Sequence, residues 1–166
     1  MATVASETFT TVSAPIQYAA IKAFEDNPNL ESYRMHSRNI LKTIGNYTYQ
    51  TLGEMNITTP ACQGGFYSFI NIDFHRKNLA QRGITNSIEL SDRLLKETGI
   101  ALLPGVDFGR EKNELLFRMA YVDFDGDTAL NAFKLNEDLT DELPGDFIQK
   151  YAPKMVRAME KLEKWL

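Results

Sequence analysis

Apolar residues along this chain recur at two spacings, every three to four positions and every second position, and the changes between them mark out the elements. Ser13 stands before Ala14-Pro15, with Gln17 close to the capping-box position, so a helix is expected to begin at Ser13 and run through Ala20 and Ile21 to Phe24. Pro28 opens a second helix. Leu30, Tyr33, Ile40, Leu41, Ile44, Tyr47, Leu52 and Met55 form one stripe along it, and Gly45 and Gly53 are points where it can kink or end. A helix of that length suits a strut joining two bodies. Pro60, Gly64 and Gly65 make a turn-rich connection to Phe66–Ile72, an aromatic, partly alternating segment that predicts a strand. Asn86 caps the next helix, Glu89 takes the N3 place of a capping box, and Gly99 stops it. Ile100–Leu103 is expected as a short strand closed by Pro104-Gly105, and Leu115–Val122 as another. From Pro144 to Leu166 the pattern is helical again, with Phe147, Ile148, Tyr151, Met155, Met159, Leu162 and Trp165 on one face and Pro153 dividing it. Met1–Val12 shows no clear period. The order of helix, helix, strand, helix, strand, strand, helix predicts a two-layer α/β arrangement, a short mixed sheet covered by helices. There is no internal repeat.

Composition narrows the function more than the fold. The 166 residues are 43% hydrophobic and 24% charged, which is enough for a core without metals or disulfides. A net charge of −4 argues against binding a phosphate backbone, so no nucleic-acid partner is expected. No apolar run reaches membrane-spanning length, and Met1–Thr11 has neither the basic nor the apolar region of a signal peptide. Cys62 is the single cysteine, which fits a reducing, cytoplasmic setting, and no base near it in sequence marks it as a nucleophile.

The chemistry-bearing residues are few. Arg118 sits inside an apolar strand, where a guanidinium either snorkels at an edge, pairs with a structural carboxylate, or faces a pocket to grip an anion with its planar fork. Gly64-Gly65 ahead of an aromatic strand allows close backbone approach to a ligand, and serves equally as a plain turn. Phe108-Gly109 reads as a turn pair. Asp123-Phe124-Asp125-Gly126-Asp127 fails as a calcium loop, because Gly falls at the fourth place and Lys134 at the twelfth, so a solvated acidic turn is expected. His36 and His75 lack a second ligand at metal spacing, and no metal site is expected.

Several segments together resemble class I/II aminotransferases of fold type I, in the C-terminal small-domain part. Ser13-Ala14-Pro15-Ile16-Gln17-Tyr18-Ala19 is similar to that family's S-x-P-x-Q-x-A helix start. Pro60 through Gly64-Gly65-Phe66-Tyr67 resembles its P-x-G-G-F-Y segment. Leu94-Leu95 followed by Gly99-Ile100-Ala101 and Pro104-Gly105-Val106-Asp107-Phe108-Gly109 resembles a third motif, and Phe117-Arg118-Met119-Ala120-Tyr121 a fourth. The resemblance covers roughly residues 11 to 122 and implies the family's small-domain fold over 28–166. Residues 1–27, with the leading helix, would then be a remnant of the large domain and its interface.

The resemblance also implies function. Arg118 would bind the α-carboxylate of an amino acid or 2-oxo acid, Gly65 and Phe66 would line the same pocket, and Ser13 would lie near the cofactor of a partner subunit in a homodimer. The family's cofactor is pyridoxal 5′-phosphate, held on a lysine within an S-x-x-K stretch. None of the ten lysines here has Ser or Thr three residues before it. The chain is therefore expected to lack catalytic residues and not to transaminate alone. It is also expected to self-associate through the surface facing the missing domain. A stand-alone carboxylate or amino-acid binding module is the alternative.

Overall fold

A computed structural model describes residues 2–8, 11–134 and 145–166. They fall into two compact units, 1–35 and 36–166.

The first unit holds α1 (Ala2–Thr8), α2 (Ala14–Ala23) and the beginning of α3 (Pro28–Glu54). Helix α1 occupies the stretch in which the sequence shows no period. At the start of α2 the Ser13 carbonyl accepts from the amides of Ile16 and Gln17, but its hydroxyl makes no capping bond. The Gln17 side chain turns back onto the Val12 carbonyl instead, at 2.7 Å. Helix α2 buries none of its residues, and Phe24 beyond it is 90% exposed.

In the second unit α3 buries Ile40, Ile44, Gly45, Thr48 and Leu52. These positions recur at threes and fours, which is what turns the stripe toward a single core. The helix does not break at Gly45. A Cβ there would lie 2.8 Å from Cys62 Sγ, so glycine lets the 60–65 segment press against the helix. Asn56, at φ 58°, reverses the chain after α3.

The sheet contains β1 (Tyr67–Asn71), β2 (Leu103–Pro104) and β3 (Leu116–Ala120), in the order β1-β3-β2. Among the described residues every pairing is antiparallel, where a mixed sheet was expected. The strand expected at Ile100–Leu103 shrinks to Leu103–Pro104, because pairing with β3 begins only at Leu103 opposite Arg118. Pro104 suits the edge it occupies.

Pleating gives the sheet two unlike faces. Ile70, Phe117 and Met119 point into a core shared with Ile44 and Leu52 of α3, Leu90 and Leu94 of α5 (Ser87–Thr98), and Met155, Met159 and Leu162 of α8 (Pro153–Trp165). Tyr67, Phe69 and Arg118 point the other way and are partly or fully open to solvent. Helix α5 starts as the pattern predicts, with Asn86 Oδ1 accepting from the amides of Ile88 and Glu89. Glu89 reaches one residue farther back than a capping box requires, to the Thr85 amide at 2.8 Å. Gly99 ends the helix at φ 78°.

Besides α1, two helices went unanticipated. Helix α4 (Arg76–Gln81) follows a 3-10 turn at Asp73–His75. Helix α6 (Gly126–Lys134) grows out of the acidic turn, whose Asp125 accepts from the Thr128 amide at 3.0 Å. The tail divides into α7 (Phe147–Tyr151) and α8 at Pro153, as expected, and Pro144 lies outside the described residues. Among the described residues no helix is long and apolar enough to cross a membrane.

Candidate functional site

Arg118 occupies the middle strand, so a place at the sheet edge is ruled out. It makes no ion pair among the described residues. Its guanidinium carbon lies 4.4 Å from the centre of the Tyr67 ring and 4.7 Å from that of Phe108. The two rings stabilise the cation through their π faces and restrict the side chain. They use none of its five N–H donors, so the fork remains available to an outside anion. The register explains the arrangement. Phe69 is directly opposite Arg118, which places Tyr67 two residues along on the same face. Phe108 arrives from the 3-10 turn Gly105–Phe108 and meets Phe69 edge-on at 6.0 Å. Gly105 permits that turn, since a Cβ there would stand 2.9 Å from the Leu116 carbonyl.

The 60–66 segment forms one flank. Phe66 packs on Tyr67 with centroids 4.4 Å apart. Gly65 adopts φ 69°, and its carbonyl accepts from the Tyr121 hydroxyl at 3.1 Å. The Tyr121 amide donates to the Phe66 carbonyl at 3.1 Å. Burial, followed by the adjacent Cys62, pushes the Tyr121 phenol above its ordinary range, so it stays protonated and keeps that donor bond. A cavity of about 140 Å3 lies behind this flank, lined by Thr48, Cys62, Gly64, Tyr67 and Tyr121 among others.

The structure thus brings Arg118, Phe66 and Gly65 into one region through Tyr67 and Tyr121. Ser13 belongs to the first unit. Sequence reasoning missed Tyr67 and Phe108. The period-two pattern through Tyr67 and Phe69 carried the signal for the first. The second was hidden in a segment that looks like a plain turn.

The fold and the site define a two-layer α/β module with an arginine, held between two aromatic rings, on the middle strand of its open sheet face. The profile of aminotransferase class I and II matches residues 1–125, and the chain belongs to that family. The asparagine–oxo-acid transaminase of Streptococcus mutans is 32% identical over 117 residues, 68% of this chain and 28% of that protein. The crystal structure of the aromatic aminotransferase of Pyrococcus horikoshii OT3 matches 91% of this chain and 30% of its own, at 26% identity and a TM-score of 0.56. That of the aspartate aminotransferase of Thermotoga maritima matches 98% and 31%, at 20% identity and a TM-score of 0.58, a likeness of fold alone. The chain therefore spans less than a third of the length of each of these relatives.

The family is generally dependent on pyridoxal phosphate. The donor set described here does not fit that group. Lys22 pairs with Glu25, Lys154 with Asp123, and Lys161 donates to the Thr98 carbonyl. No lysine lines the cavity beside Tyr67. Among the described residues no set of groups matches the cofactor's aldehyde, ring and phosphate together.

Proposed function

We propose that this chain is the small-domain part of a pyridoxal-phosphate-dependent aminotransferase. In this reading it supplies Arg118 as the fork that holds the carboxylate of an amino acid or 2-oxo acid. The observation that carries it is the guanidinium clamped between Tyr67 and Phe108 with its N–H edge uncommitted. A carboxylate is common to amino acids and oxo acids alike, so one arginine serves both halves of an amino-group exchange. Gly65 and Phe66 line the same pocket, and Ser13 approaches the cofactor of a partner subunit. The lysine that binds the cofactor lies outside these residues, and the chain alone does not transfer amino groups. The setting is cytoplasmic, with the single reduced cysteine as support.

A second reading, a stand-alone carboxylate-binding module, draws on one observation: both clamping rings belong to this chain, so the arginine is ordered without help. Calorimetric titration with succinate, together with an amino-transfer assay in added pyridoxal phosphate, separates the readings. The enzyme-part reading expects no transfer, and a dissociation constant of about 1 mM or weaker, because one arginine without an opposing wall gains little over the cost of association. It also expects that binding to vanish in Arg118→Ala. Micromolar binding would favour the module. Equal binding by wild type and Arg118→Ala, or turnover by the chain alone, overturns the assignment.

A further inference from the structure

Cys62 stands where two cavities meet. Cys62, Gln63 and Gly64 line both the cavity of about 140 Å3 described above and a larger one of about 400 Å3. Three observations define what the thiol can do.

The first concerns its proton. The Tyr121 hydroxyl has one proton, which goes to the Gly65 carbonyl, so in the 2.7 Å contact between Cys62 Sγ and Tyr121 the sulfur is the donor. The second concerns space. The Gly45 backbone closes one side of the sulfur, and a group attached to Sγ has room only in the cavities. The third concerns partners. Thr48 is 1% exposed, lines the smaller cavity, and among the described residues its Oγ1 has no hydrogen-bond partner. A buried hydroxyl in that condition calls for an atom from outside the fold. Among the described residues, the larger cavity is lined by Lys42 and by no carboxylate. A cationic side chain beside the thiol attracts anions.

We propose that Cys62 is a thiol–disulfide exchange site for a small anionic disulfide. Lys42 draws the anion into the larger cavity, and Thr48 offers its hydroxyl to the group that becomes attached. The thiol loses its proton to solvent, and the thiolate sulfur attacks one sulfur of the disulfide. The reagent's S–S bond breaks as the bond to Cys62 forms. The departing sulfur leaves with the electron pair as a thiolate and takes up a proton, so Cys62 is oxidised and the departing half is reduced. Modified Cys62 can no longer donate to Tyr121, and the segment that leads through Gly65 to Tyr67 loses that tie.

This site goes beyond the carboxylate reading and does not rest on it. The whole chain has one cysteine, so released thiol reports on Cys62 directly. The probes are dithiobis(nitrobenzoate), which is dianionic, and dithiodipyridine, which is neutral, each rate divided by that of mercaptoethanol. The expected result is a preference of about tenfold for the dianion at low salt, shrinking as salt is added. Lys42→Gln should remove most of that preference and leave the neutral probe's rate unchanged. Equal normalised rates, or reaction only after unfolding in urea, overturn the proposal. Neither rate involves Arg118, so a negative result leaves the succinate titration to be judged separately.

Discussion

At the scale of single residues, the decisive contrast is between groups whose environment constrains them and groups left open. Arg118 is constrained in position and open in hydrogen bonding, which is the condition for recognising a ligand. Gly45 is constrained in size. A Cβ at that position would meet Cys62 Sγ at 2.8 Å and the Tyr121 hydroxyl at 3.3 Å. Neither neighbour can retreat without disturbing the hydrogen bond that joins them. Gly45→Ala should therefore destabilise the chain by about 1–3 kcal/mol, a cost typical of overpacking, although alanine is the better helix former. Urea unfolding followed by circular dichroism measures it, and a neutral or stabilising effect would show that the 60–65 segment yields easily.

At the scale of elements, the C-terminal helix is fastened to α5 by a polar cluster. The Trp165 indole donates to Glu97 at 2.7 Å, and the Arg82 guanidinium lies 4.1 Å over the indole ring. Trp165, then Arg93, hold the Glu97 carboxyl below its ordinary value, with Arg82 adding to the effect. In the pH window just below the ordinary glutamate value, the unfolded chain binds more protons than the folded one. The cluster's stability is therefore complete above that value and is lost as pH falls through the lowered one. Glu97→Gln should flatten the dependence of the urea midpoint on pH between about 5 and 3, and an unchanged slope would remove Glu97 from the account. Apart from the i,i+4 pair Arg93 and Glu97, this cluster does not show in the sequence, since Arg82, Glu97 and Trp165 are far apart along it. What the sequence does reveal is local. The stripe on α3, the Asn86 cap, the Gly99 stop and the Pro153 break are each set by neighbours within a turn or two. Arg118 stood out because a charge inside an apolar strand needs a reason. Tyr67 and Phe108 did not, because their meeting with Arg118 depends on strand register and on a turn from another part of the chain. Helices α1 and α4 have too little amphipathic pattern to be seen, and β2 is short because its partner sets its length.

At the scale of the whole molecule, two apolar surfaces stay open among the described residues. One is α2, with Ile16, Tyr18 and Ile21 exposed, and the other is the sheet face carrying Tyr67, Leu103 and Phe108. Contiguous apolar surface on a soluble domain marks a place for another body. Concentration-dependent sedimentation of the isolated chain is the expected behaviour, relieved in an Ile21→Glu variant, and a concentration-independent monomer would count against association through α2. The sheet order has a different implication, for the time at which the fold can exist. Among the described strands β3 is the last to be made and the one that pairs with both others. While the ribosome is still short of Leu116, β1 has only the bridge between Asn71 and Thr58, β2 lacks its β3 partner, and the aromatic face has no arginine to hold. A nascent chain stalled before Leu116 should show helix by circular dichroism without the protection that hydrogen exchange detects, in the finished protein, at the β1 amides bonded to β3. The residue proposed to hold the substrate thus arrives with the strand that closes the sheet, and binding competence comes no earlier than the fold.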